Sequence, residues 1–314
     1  MIAFEKVRGK QTRDKKIGRL AQIEERNAYL FLLPWLAGLL LFLVIPVVSS
    51  LGLSFTNWNS ITPPEWVGLK NYRDMMTDSN FLNSIGVTLR YLVLSVPLYM
   101  VAGLGLSLLL NLRIKGMNFF RTILYLPSVL STVAVAVLWL TLLNPDLGAI
   151  NQGLRAIGIA NPPRWLLSPD WAVPAVVLMG LWGVGGGAII YLAGLQNISP
   201  HLYEAAEIDG ANSIQKFFNI TIPLLTPTLF FVLITSLIGA FQVFDAAYVL
   251  GGSRGGRSGA LLFYLLNLWN EGFRSGRFGF ASALAWVLVV AAGIVIYVTF
   301  KTADRWVYYE TGGD

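Results

Sequence analysis

Six apolar runs recur along this chain, at about residues 30–53, 85–110, 123–143, 171–195, 224–250 and 280–300. A membrane-spanning helix needs about 20 mainly apolar residues, and each run supplies that length. The pattern therefore predicts an all-α membrane protein with six transmembrane helices. Between the runs lie polar stretches of unequal character. Residues 56–80 and 144–170 are rich in proline, asparagine and tryptophan, which suits ordered loops at a lipid interface. A further apolar piece, 260–269, is too short to span and is expected in a loop.

The polar stretch 199–223, SPHLYEAAEIDGANSIQKFFNITIP, is the least ordinary. Ser199 is a good helix N-cap and Pro200 a good first helical residue, so a short helix is expected to about Asp209. Gly210 can end it with positive φ, Ser213 can cap a second short helix, and Pro223 is expected to close that one. Connections of about 4–6 residues are usual. A structured elbow this long reads as a surface for another protein to grip.

Charge sets the orientation. Eight of the 23 basic residues fall in the first 28 positions, directly before the first apolar run. By the positive-inside rule this places the N-terminus in the cytoplasm. The loop 111–121, with Arg113, Lys115 and Arg121 and no acid, follows on the same side. With six spans both termini are cytoplasmic, and 199–223 is cytoplasmic too. The expected parts are a basic tail 1–28, a membrane domain 29–302 and a C-terminal tail 303–314. The basic balance of +6 is thus a membrane signature and implies no nucleic-acid partner.

Composition narrows the chemistry. The chain is 55% hydrophobic and 13% charged, with no cysteine and one histidine, His201. Disulfides, cysteine-ligated metals and a histidine-based zinc site are excluded. The stretch 251–258, GGSRGGRS, has the spacing of a phosphate-binding loop with Arg257 in the lysine position. Such a loop works between a strand and a helix; here it follows a membrane run on the expected outer face, and reads as a flexible turn. No catalytic set can be assembled, so the chain is not expected to be an enzyme. Asp245, near the outer end of the fifth run, is the carboxylate expected inside an apolar span, and intramembrane acids are functional candidates. The fourth run contains Gly180, Gly183, Gly185, Gly186 and Gly187, which allow close approach of a helix or a ligand.

Glu204-Ala205-Ala206, Gly210 six positions after the glutamate, and Ile220-Thr221-Ile222-Pro223 together resemble the EAA signature of permeases in binding-protein-dependent ABC importers. The form EAAEIDGA, WVGLKNY at 66–72, FQVFDAAYVLGG at 241–252 and FGFASALAWVL at 278–288 are similar to the carbohydrate-uptake branch. The resemblance covers about residues 28–302. Ile222 stands where leucine is usual, and Gly251-Gly252-Ser253 where many relatives have Gly-Gly-Pro.

The resemblance implies a type I ABC importer permease fold in the plasma (inner) membrane of a prokaryote. It implies a second homologous permease, a dimer of cytoplasmic ATPase subunits, and an extracellular or periplasmic sugar-binding protein. This chain would carry no cofactor; ATP and Mg²⁺ would sit on the ATPase, and alternating access would be driven through the 199–223 loop. Tyr203, Glu204, Ala205, Ala206, Glu207, Asp209, Gly210 and Phe217 would couple to the ATPase, with Phe218 as a further apolar anchor. The helices flanking the loop would line the sugar path through Trp182, Gly183, Gly186, Ser236, Gly239, Ala240, Gln242 and Asp245. The sugar is expected to be a disaccharide such as maltose or trehalose, an oligosaccharide, or glycerol phosphate. The rival is a secondary transporter driven by an ion gradient, which needs ionisable residues deep in the spans.

Overall fold

A computed structural model describes residues 19–112 and 114–308. Most of the basic N-terminal residues, Arg113 of the expected cytoplasmic loop, and the end of the expected C-terminal tail lie outside the described residues. Two compact units are distinguished, residues 1–52 and 53–314.

The described part of the first unit, from residue 19, is helical. Helix α1 (Arg19–Leu39) leads through a π-helical turn, Leu40–Val44, into α2 (Ile45–Leu53). The apolar helix starts before the expected residue 30, with a candidate span from Ile23 to Leu53. Phe31 is 86% and Phe42 83% exposed. A helix of this length that is apolar all round suits lipid. Pro46 lies within it. In an unbroken α-helix its ring would collide with the carbonyl four residues back and leave a bond unmade. The Ile45 amide instead reaches five residues back, to Leu40 O, and this wider turn lets the proline in.

The second unit opens with an antiparallel pair, β1 (Thr56–Asn57) and β2 (Glu65–Trp66). Helix α3 (Lys70–Met75) holds the pair in place. Buried Asn71 donates from Nδ2 to Ser54 O at 2.8 Å and Thr56 O at 3.0 Å. Asp78 then caps α4 (Ser79–Leu110), accepting from the Phe81 amide at 2.8 Å. The central α4 packs against helices from both sides of the 199–223 loop.

The third and fourth apolar runs, expected as single spans, are each broken. Helices α5 (Met117–Val129) and α6 (Thr132–Leu142) meet at 97°. Leu130 and Ser131 are extended there, three residues after Pro127. Helix α7 (Ala149–Ala156) follows, then α8 (Pro169–Trp182) and α9 (Gly185–Gln196), bent by 53° at Gly183–Val184. By length and composition, four helices can cross a membrane, or up to six if each bent pair is one span. All of these counts concern the described residues.

After α9 come α10 (Pro200–Ile208), α11 (Ser213–Lys216), a π-helical turn Phe217–Thr221, and α12 (Ile222–Phe241). Pro223 does not close the second short helix, contrary to expectation. As at Pro46, the residue before the proline, Ile222, bonds five residues back, to Phe217 O, and the helix runs on from Ser213 to Phe241.

Asp245 also differs from expectation. The fifth run stops at Phe241, Phe244 takes φ −131° and ψ −62°, and a separate short helix, α13 (Asp245–Gly251), begins at the aspartate. Asp245 is thus an exposed first-turn residue, where a carboxylate complements the helix dipole. The glycine-rich stretch 251–258 follows this helix rather than a strand. Helix α14 (Tyr264–Trp269), a π-helical turn Asn270–Arg274, and α15 (Phe278–Ala303) complete the unit. The main core joins Trp139, Val173, Val176, Leu261, Phe263 and Leu266. Glu271, 5% exposed, is held by Arg277, whose Nε donates to its Oε2 at 2.7 Å.

Candidate functional site

The elbow 199–223 is built as two short helices tied to each other and to the base of α12. Ser199 takes the extended N-cap conformation, but its side chain makes no capping bond; Pro200 in the first turn sets the start. Gly210 has φ +79°, the left-handed conformation that ends α10 without a Cβ penalty. The second helix is capped by Asn212, one residue before the expected Ser213. Asn212 Oδ1 accepts from the Gln215 amide at 2.9 Å, and Gln215 Oε1 accepts from the Asn212 amide at 2.8 Å. A serine reads as a cap in sequence, but only the residue three before a glutamine or glutamate can close this reciprocal box.

Two side-chain contacts fix the elbow's angle. Lys216 Nζ donates to Glu207 Oε1 at 2.6 Å, joining α11 to α10. The lysine holds the Glu207 carboxyl below the usual carboxylate value, by its hydrogen bond first and its charge second. Tyr203 Oη lies 2.9 Å from Thr221 Oγ1, joining α10 to the foot of α12. Tyr203 is half-buried, so of the expected anchors it acts as an internal strut. Glu204 faces solvent with only exposed His201 beside it, Nδ1 to Oε2 at 3.1 Å. Ala205, Asp209 and Gly210 are exposed; Ala206 and Phe217 are half-buried, with Phe217 edge-on to Phe218.

Beyond Phe218, expected as an apolar anchor, the elbow exposes two isoleucines that the sequence reading did not single out. Ile208 is 87%, Ile214 69% and Phe218 62% exposed. Isoleucine either side of Gly210 was the available signal. Beside the elbow lies a crevice of about 650 Å³, lined by Asn111, Arg121, Gln196, Tyr203, Glu204 and Glu207. Arg121, one of its lining residues, donates from Nη2 to Leu110 O at 2.9 Å. The surface thus combines exposed isoleucine and phenylalanine, the exposed carboxylate of Glu204 beside His201, and a neighbouring recess.

The expected sugar-path residues are brought together only in part. A cavity of about 200 Å³ lies where α4, α8, α9 and α12 meet. Gly183 and Ser236 line it, together with Tyr99, Gly103, Gly180 and Gly187. Tyr99 was missed because it comes from α4, far from the loop in sequence. Its hydroxyl donates to Val177 O at 3.0 Å and sits 1.9 Å from where a Cβ on Gly180 would be.

Gly186 does not line this cavity. A Cβ there would lie 2.8 Å from Ser128 Cβ, and one on Gly185 would lie 2.0 Å from Leu124 O. These two glycines seat α9 against α5, as small residues do between membrane helices. Ala240 is buried. Trp182 is 40% exposed and meets Trp139 edge-on at 6.5 Å; Gly239, Gln242 and Asp245 are also exposed. Trp182, Gly239 and Gln242 are thus each exposed on this chain, outside the cavity that Gly183 and Ser236 line.

Residues 95–308 match the family model described as the binding-protein-dependent transport system inner membrane component. The chain is 40% identical over 298 residues to the probable ABC transporter permease protein YesP of Bacillus subtilis, covering 94% of this chain and 96% of that protein. It is 36% identical over 283 residues to the trehalose/maltose transport system permease protein MalF of Thermococcus litoralis, covering 88% and 94%. Among solved structures it resembles a chain of a bacterial alginate ABC transporter in complex with its alginate pentasaccharide-bound periplasmic protein. That match has a TM-score of 0.78 at 26% identity, over 92% of this chain and 98% of that one.

Proposed function

The chain belongs to the family of binding-protein-dependent transport system inner membrane components, and from that premise we propose that it is one permease subunit of an ATP-driven carbohydrate importer. The single observation that carries this reading is the elbow 199–223. It is rigidly tied to the base of α12 by Tyr203 and Thr221, yet presents Glu204, Ile208, Ile214 and Phe218 outward. A surface exposed on the outside and braced on the inside is suited to receiving a push from a partner.

A cytoplasmic ATPase dimer would seat the elbow, with Glu204 offered to basic groups and the isoleucines filling its cleft. ATP and Mg²⁺ would be held there. A second permease would cover Trp182, Gly239 and Gln242, completing a sugar site of which Gly183 and Ser236 form this chain's inner wall. An external binding protein would deliver the sugar, as the alginate complex supports for that transporter. Named relatives carry trehalose, maltose and alginate, which supports saccharides as the substrate class. Both termini would be cytoplasmic in a prokaryotic inner membrane.

The test is uptake into proteoliposomes holding the complete complex. Uptake should require internal or external ATP on the ATPase side together with the binding protein. Uptake driven by a proton or sodium gradient alone would overturn the reading.

A further inference from the structure

The last helix ends beside the elbow, and its final turn is fastened there. After α15 the chain makes one further turn, the Val307 amide donating to Ala303 O at 2.8 Å. Ala303 and Val307, 4% and 8% exposed, bury themselves against Phe230 and Ile234 of α12. The Phe230 ring meets Phe300 edge-on at 5.0 Å and Trp306 at 5.9 Å. The Tyr308 amide then donates to Thr226 Oγ1 at 2.8 Å, and that hydroxyl donates to Pro223 O at 2.6 Å.

The position of Thr226 is informative. It lies one turn above Thr221, which receives Tyr203 of α10. Tyr308 itself lines two crevices, of about 240 and 280 Å³, that both also touch Leu202 of α10. Three segments distant in sequence, α10, the foot of α12 and residues 304–308, thus meet within one turn of helix. Pro223 O is free to accept from Thr226 because its ordinary helical donor would be the amide of residue 227, and Pro227 has none.

We propose that residues 304–308 form a strap that fastens the last helix to the foot of α12, so that displacement of the elbow is passed to α12 and α15 together. Thr226 is the positioning residue, acting through the backbone of Tyr308; Trp306 and Val307 supply the apolar grip. The proposal rests on the reading of the chain as an ATP-driven importer.

The experiment uses the complete complex in proteoliposomes, measuring sugar uptake and ATP hydrolysis in the same preparation. Thr226→Val keeps the shape and removes the hydroxyl; Thr226→Ser keeps the hydroxyl; Trp306→Ala weakens the grip without touching the bond. Sugar taken up per ATP hydrolysed should fall about fivefold in Thr226→Val, the scale of one ordinary hydrogen bond, and should return in Thr226→Ser. Trp306→Ala should lower it in the same direction, and decides the matter if Thr226→Val does not assemble. An unchanged ratio in the assembled variants, with wild-type uptake still driven by ATP, overturns the strap alone. Wild-type uptake that does not need ATP overturns the underlying reading, and the strap with it.

Discussion

Lys216 and Glu207 join the two short helices of the elbow across Gly210, Nζ to Oε1 at 2.6 Å, with the lysine largely sheltered and the carboxylate exposed. The contact spans nine residues and closes the angle that Gly210 opens. It also gives the elbow a defined response to acid.

Because Lys216 lowers the Glu207 carboxyl below its ordinary 4.5, the tie contributes fully above 4.5 and is lost as pH falls through the lowered value. Hydrogen exchange of the amides at 207–213 should therefore be unaffected by carboxyl titration from neutrality down to 4.5 and accelerate below it. Protection already lost well above 4.5 would show that the Glu207–Lys216 tie does not control the elbow's angle.

Gly210 holds φ +79°, which a side chain enters at a cost of about 1 kcal/mol. Gly210→Asp should insert and assemble the membrane domain normally but abolish ATP-driven uptake, because the elbow loses its angle. Glu204→Lys should have the same outcome through charge, since Glu204 is solvent-facing and its change leaves the fold intact. Normal uptake rates in either variant would remove these residues from coupling.

A Cβ on Gly180 would sit 1.9 Å from the Tyr99 hydroxyl and 2.5 Å from its Cζ. Gly180→Ala should lower the thermal midpoint of the detergent-solubilised protein, at the scale of about 1–3 kcal/mol for overpacking. Tyr99→Phe in the same chain should recover part of that loss by removing the nearest atom. Additive effects of the two changes would show that the contact is not formed.

Gly185 and Gly187 stand two positions apart on α9 and should behave oppositely. A Cβ on Gly185 meets backbone, Leu124 O at 2.0 Å, whereas one on Gly187 meets nothing within 4 Å and enters the cavity with Ser236. Gly185→Ala should sharply reduce the yield of folded complex. Gly187→Leu should fold and assemble while uptake falls roughly 10-fold, the scale of a side-chain misfit in a binding pocket. Yield and initial uptake rate, measured together, separate the two.

The elbow was largely legible because its determinants are local: Pro200 at the start of α10 and Gly210 after its end. The continuation of α12 through Pro223 was not. A proline's effect depends on the carbonyl four residues back, and nothing in the residue types announces that a π-helical turn has moved it. The bends in the third and fourth runs were equally hidden, since Leu130-Ser131 and Gly183-Val184 sit in apolar context and hydropathy carries no direction. Asp245 was placed in a span because FQVFDAAYVL is nearly all apolar; the break at 242–244 depends on packing around Phe244. Of the sugar-path residues, Gly183 and Ser236 were reached through neighbourhood to the loop. Tyr99 was not, because its placement against Gly180 is a contact between helices far apart in sequence.

The two Ile-Pro steps carry one mechanical consequence. Each π-helical turn lets its helix pass a proline unbroken, and the second makes Ser213 to Phe241 a single rod of 29 residues. At 1.5 Å per residue its length is about 44 Å. A lever of that length tilted by about 5° about its lower end moves its upper end by about 4 Å, roughly the advance of 2–3 helical residues. On the proposed reading, a slight rocking of the elbow would therefore become a displacement of about 4 Å at the other end of α12, without any bond in the rod having to break.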